Sequence, residues 1–286
     1  MIRRSTIQLL RFHFSFFLMP VYWFALGQVL NPDPKRALLI FIILHLLIYP
    51  SSNGFNSYMD RDEGSIGGLK SPLPPTKELL YASMIMDGLA LILGFFISIY
   101  FTLAAAAYIL ASRAYSARSV RLKKYPMLGY ATVIICQGAL VFFMVYHGSH
   151  PLLSLHVPTL GMISASLLIG GFYPLTQIYQ HDADAKDGVR TISAMLGIRG
   201  TFIFCSIMYG IAFVFLTYYL LISLEEKEFL ILSTCMMPIL VYFTGWALQV
   251  WRNPSLANFR NTMRMNIVAS SFTSIGFILV FLMHWL

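Results

Sequence analysis

Apolar runs long enough to cross a bilayer recur along the chain, separated by short polar stretches. Reading runs of about 20 residues as spans predicts nine transmembrane helices, at residues 12–30, 37–57, 79–98, 100–114, 127–147, 157–180, 200–223, 228–251 and 264–285. The fourth is short and weak, because only Tyr100-Phe101-Thr102 marks a break from the third, so these two are expected to pair as a tight hairpin. The pattern predicts an all-α, polytopic membrane protein, with residues 1–286 as a single transmembrane domain and no room for a sizeable soluble one. The N-terminus starts basic, but its apolar run continues past signal-peptide length without a small-residue cleavage site, so it reads as a retained first span.

Charge orients the spans. With the N-terminus in the cytoplasm, the N-terminal tail and the loops after spans 2, 4, 6 and 8 share that side. Those segments hold every one of the 20 Lys and Arg residues except Lys35, Arg36 and Lys227. So large a bias follows the positive-inside rule and puts the C-terminus on the opposite face, in what we expect to be the plasma (inner) membrane of a prokaryote. The net charge of +8 then reflects topology, with a phosphate-bearing ligand as a more specific partner and no nucleic acid. A hydrophobic content of 58% rules out an ordinary soluble domain. Cys136, Cys205 and Cys235 lie inside spans without CxxC or His/Cys spacing, so they read as packing residues, not disulfides or zinc ligands.

In a chain only 11% charged, half of the 12 acidic residues sit in two clusters, Asn56–Glu63 and Gln180–Asp187. Each closes an apolar segment, and on the topology above both face the cytoplasm. Asn56 and Asp60 are four residues apart and share a helical face, as do Gln180 and Asp184. Asp182 lies about 200° around a helix from Asp184 and joins the same site only if the helix has ended there. Amide and carboxylate oxygens from two facing helix ends suit magnesium, which keeps several waters and takes other ligands from substrate phosphates. Glycine- and proline-rich segments after the first cluster, and a glycine-bearing basic segment after the second, supply backbone that can approach a ligand closely. Arg61, Lys70, Arg121, Lys123, Lys186 and Arg190 are candidate diphosphate contacts on that face, or else membrane-surface anchors. Asp87 falls inside the third span, where a carboxylate implies a function or a polar partner on another helix. His13, His45 and Gln137 read as interhelical hydrogen-bonding residues. Some of the many aromatic residues are candidates to line a cavity and stabilise a carbocation.

On these residues the chain resembles the UbiA superfamily of intramembrane prenyltransferases. The family's first motif, NDxxDxxxD, falls on Asn56 to Gly64. Its second, DxxxD with a basic tail, falls on Gln180 to Asp184, followed by Lys186, Gly188, Thr191 and Leu196-Gly197. A Tyr-Ser…Arg-x-Lys…Pro stretch (Tyr115, Ser116, Arg121, Lys123, Pro126) matches as well. The resemblance implies nine helices around a central cavity and Mg2+-dependent transfer of an isoprenyl group from an isoprenyl diphosphate to an aromatic or lipid-like acceptor. It implies metal ligation by Asn56, Asp60, Asp62, Gln180, Asp182 and Asp184, with Asp60 and Asp184 as the catalytic carboxylates. Asp87 and Tyr115 are candidates for the acceptor region or the cavity wall. The chain departs from the motifs at Ser57, Gly64 and Gln180, where the family has aspartate, and Asp62, Glu63, Asp182 and Asp187 stand nearby as substitutes. An intramembrane terpene cyclase, or a non-catalytic lipid- or quinone-binding or transport protein, are the alternative outcomes of the same frame.

Overall fold

The computed structural model describes residues 2–222 and 226–283, and the expected span ends at 223 and 285 lie outside them. Among the described residues the protein is built from helices, with one isolated bridge between Ile66 and Leu69. Eight helices among the described residues are long and apolar enough to cross a membrane. We label these and the two remaining helices in chain order: α1 (Arg4–Gly27), α2 (Pro34–Asp60), α3 (Lys77–Phe95), α4 (Ile99–Ser116), α5 (Pro126–Ser149), α6 (Thr159–Gln177), the short α7 (His181–Lys186), α8 (Ile192–Ile222), α9 (Glu226–Arg252) and α10 (Phe259–Met283). The expected fourth span is α4, with 18 residues; it falls outside the eight, carrying Arg113 in its last turn. The chain is thus an integral, multi-pass membrane protein.

α3 and α4 do pair, but the turn is Phe96–Ser98, and Tyr100-Phe101-Thr102 belong to the second helix. Ser98 sets that boundary: in extended conformation, its hydroxyl accepts from the Phe101 amide at 3.0 Å and caps the new helix. Two spans change helical register midway. Ile42–Ile48 in α2 and Ile135–Leu140 in α5 are π-helical. In α5 the widened ladder accommodates a close crossing, where the Ala139 amide donates to Ser166 Oγ of α6 at 3.0 Å. α1 is also discontinuous: Arg11 adopts a left-handed conformation (φ 47°) that ends one helical segment and starts a 3-10 turn.

Apolar side chains from most spans form one continuous core, while many large hydrophobics stay exposed along α3, α4, α8 and α9. An outward apolar surface is what lipid as solvent selects. The three cysteines are free and lie within the spans, as expected of packing residues. Of the expected interhelical polar residues, His13 Nε2 meets the Gly68 carbonyl at 3.1 Å, and His45 is buried against Phe41 in a stacked pair.

Candidate functional site

The two acidic motifs converge on one cavity of about 210 Å³. α2 ends at Asp60 because Arg61 turns left-handed (φ 55°), which stops the helix and carries Asp62 onto the same wall. On the other side α6 runs out in a 3-10 turn at Tyr173–Gln177, and α7 restarts at His181 with Gln180 as its flanking residue. Asn56, Asp60, Asp62, Gln180 and Asp184 all line the cavity. Asp182 does not: the helix begins at that point, so Asp182 keeps the opposite face and is exposed, as is Lys186 one turn on.

The hydrogen bonds leave metal-binding oxygens facing inward. Asn56 Nδ2 donates to Ser116 Oγ at 2.9 Å, which frees its carbonyl oxygen. Gln180 Nε2 donates to the Ser65 carbonyl at 3.1 Å, tying the second motif to the loop after the first. Lys123 Nζ donates to Asp60 Oδ2. Asp60 Oδ1 is buried without a hydrogen-bond partner, with the Arg121 guanidinium at 3.6 Å. An unpartnered buried carboxylate oxygen beside two carbonyls and two further carboxylates fits a hard cation. Among the described residues no three His, Cys, Asp or Glu side chains form a ready-made cage. An ion such as Mg2+ needs few protein ligands when phosphates and waters supply the rest.

Burial sets the electrostatics. It pushes the Asp184 carboxyl up to about 7, with Asp62, Asp60 and Asp187 adding to the rise and Lys123 opposing it. Burial, and then the Asp60 charge, likewise hold Asp62 above the ordinary carboxylate range, against Lys123 and Arg11. Clustered acids that resist ionising alone are poised to take a cation.

The basic residues separate into two groups. Arg121 and Lys123 are buried in a left-handed turn and a 3-10 turn before α5; Arg121 pairs with Asp187 and Lys123 with Asp60. Arg61, Lys70, Lys186 and Arg190 are exposed and outside the cavity lining. Arg11 was placed by sequence only among the orienting charges, yet it lines the cavity and donates to the carbonyls of Gly67 at 3.1 Å and Asn53 at 3.3 Å. Its signal in the sequence was an arginine at the edge of an apolar run, which the positive-inside reading absorbed.

Tyr115 lines the cavity and shares a hydroxyl–hydroxyl contact with Tyr173. Tyr108 and Tyr179 add further rings, and Gln137 reaches the wall from the π segment of α5. Asp87 is not in the lining; Arg113 and Ser51 take up its carboxylate. A second cavity of about 380 Å³ is mostly apolar, walled by residues such as Phe17, Phe172, Phe213, Met236 and Phe243. The two adjoin along the chain: Phe14 and Tyr173 line the polar cavity, Phe17 and Phe172 the apolar one.

The fold has parallels among solved structures. The fold matches a UbiA homolog from Archaeoglobus fulgidus bound to DMAPP and Mg2+ with a TM-score of 0.68 at 20% identity, over 96% of this chain and 99% of that one. It matches the apo structure of a UbiA homolog from Aeropyrum pernix K1 with a TM-score of 0.68 at 16% identity, over 93% of this chain and 97% of that one. In sequence it is 25% identical over 191 residues to the bacteriochlorophyll synthase 33 kDa chain of Cereibacter sphaeroides, a match spanning 62% of each protein. The UbiA prenyltransferase family pattern extends over residues 14–268. A polytopic helical bundle in which two acidic motifs meet across one cavity, matched over nearly all of its length, therefore belongs to the UbiA prenyltransferase family.

Proposed function

We propose that the chain, acting as a single membrane domain, transfers an isoprenyl group from an isoprenyl diphosphate to an aromatic or lipid-like acceptor. The observation that carries this reading is the convergence of Asn56, Asp60, Asp62, Gln180 and Asp184 on a cavity beside the buried Lys123, next to an apolar chamber. Relatives of the fold bind DMAPP or GPP together with Mg2+, which supports a diphosphate donor here.

In this mechanism Asn56, Asp60, Asp62, Gln180 and Asp184 would hold Mg2+, which when bound would supply charge neutralisation for the diphosphate leaving group. Lys123, Arg121 and Arg11 grip its oxygens, and such preorganised cations lower the barrier to allylic C–O cleavage. The ring faces of Tyr108, Tyr115 and Tyr173 stabilise the developing cation. The apolar cavity holds the prenyl tail and keeps water out. The exposed Arg61, Lys70, Lys186 and Arg190 attract the anionic donor to this face, which we place in the cytoplasm of a prokaryote on the positive-inside bias. The kinship with a bacteriochlorophyll synthase favours a pigment-like acceptor over a glycerol phosphate.

The test is product analysis with radiolabelled geranylgeranyl diphosphate, with and without hydroxybenzoate, dihydroxynaphthoate or bacteriochlorophyllide. We expect Mg2+-dependent diphosphate release and label on an acceptor, and Asp60→Ala or Asp184→Ala to abolish both. Labelled cyclic hydrocarbon without acceptor would instead identify a terpene cyclase. Binding without release would identify a carrier.

A further inference from the structure

Asp87 stands within α3, away from the cavity, yet it is not a solitary charge. Its carboxylate accepts from Arg113 Nε at 3.0 Å and pairs with Nη2 of the same guanidinium. The Ser51 hydroxyl lies 2.5 Å from Asp87 Oδ1 and accepts from Arg113 Nη2 at 2.6 Å. The face of the guanidinium rests on the Phe55 ring, 4.1 Å from its centre. One ion pair thus joins α2, α3 and α4. As a fastener it is an odd choice, because apolar residues of similar volume often hold a core as well or better.

What it joins explains its use. Below it, α2 is π-helical from Ile42 to Ile48 and Pro50 offers no N–H, so Tyr49–Asp60 is loosely tied to its own lower half. Above it, Asn56 donates to Ser116, one turn along α4 from Arg113. These two pins, Ser51–Arg113 and Asn56–Ser116, set the rotation and axial register of the helix segment that ends in Asp60.

We propose that Asp87 and Arg113 are positioning residues, fixing the upper half of α2 so that Asn56 and Asp60 face Gln180 and Asp184. The inference rests on the prenyl-transfer reading of that cavity. Its test uses the full-length protein in detergent and Mn2+ as the probe ion, with inorganic pyrophosphate, followed by EPR. Asp87→Leu/Arg113→Met removes both charges at once, avoiding the unpaired charge that either single change leaves. We expect it to unfold within a few degrees of the wild type and to bind Mn2+ about 10–100-fold more weakly, the usual effect of losing a group that orients metal ligands. Ser51→Ala removes the hydroxyl link to α2 but leaves Arg113 on the Phe55 ring, so it is expected to weaken Mn2+ binding by less than the double variant while leaving the α3–α4 pair intact. A pair that merely held the bundle together would lower Tm and the folded fraction without changing Mn2+ affinity. Wild-type Mn2+ affinity in either folded variant overturns the proposal. A wild type that binds no Mn2+ with pyrophosphate overturns the proposed function and this inference with it.

Discussion

Among the described residues, three of the five non-glycine residues with positive φ are arginines at or beside the acidic motifs: Arg11, Arg61 and Arg121. A left-handed backbone costs a side-chain-bearing residue about 1–2 kcal/mol, and here it turns the chain sharply enough for Arg11 to reach the cavity and for Arg121 to reach Asp60 and Asp187. No sequence pattern announces this, since arginine has no preference for the conformation. The carboxylates were legible, because charge in an apolar chain stands out. Their division of labour was not: Asp182 was expected as a metal ligand, and only the restart of the helix at His181 shows that it faces away from Asp184. The Asp184 carboxyl, held up to about 7 chiefly by burial, makes a prediction at this scale. A metal ion takes the ionised form, so protons compete with it below the carboxyl's pKa. Apparent Mg2+ affinity should therefore climb as pH rises towards about 7 and level off above it. Titrating Mg2+-dependent diphosphate release across pH checks this, and Lys123→Met, which removes a charge favouring ionisation, should shift the rise to higher pH.

At the level of elements, runs of apolar residues located most of the spans, because length and hydropathy are dictated by the bilayer itself, but α1 and α8 begin well before their expected starts at 12 and 200, at Arg4 and Ile192. Interruptions inside a span were hidden. The π segments of α2 and α5 are mostly apolar, interrupted only by His45 and by Gln137 and Gly138, so hydropathy does not mark them off within a span. Gly138 shows what one of them accommodates. A Cβ there would stand 2.4 Å from Ser166 Cα, and that neighbour is backbone, which cannot rotate away. Gly138→Ala should force α5 and α6 apart and cost about 1–3 kcal/mol, the range for overpacking. Thermal unfolding in detergent would read the loss, and an unchanged Tm would mean that the crossing is looser than it looks.

For the molecule as a whole, fold class and the meeting of the two motifs were foreseeable from the order of apolar and charged segments, and the family from the resemblance its motif residues carry. The cavities were not, since each is assembled from side chains scattered over several helices. Gly210 lines the apolar chamber and has open space where a side chain would go. If the chamber holds the prenyl tail as proposed, Gly210→Leu should shorten it and lower the use of geranylgeranyl relative to geranyl diphosphate. A pocket that gains or loses a methylene discriminates by roughly 10–200-fold, so competition between the two donors would register it.

The bonds from Arg11 to the carbonyls of Asn53 and Gly67 also set a schedule for biogenesis. Arg11 leaves the ribosome long before either of its acceptors. At translation speeds of about 5–20 residues per second, its charge is without those partners for several seconds at the membrane. The first helix must therefore stay near the insertion machinery, or near the surface, until the second span and its loop arrive. Pinning Arg11 to the second span and its loop is in this sense an early step in the life of the chain, possible while most of the bundle is still unmade.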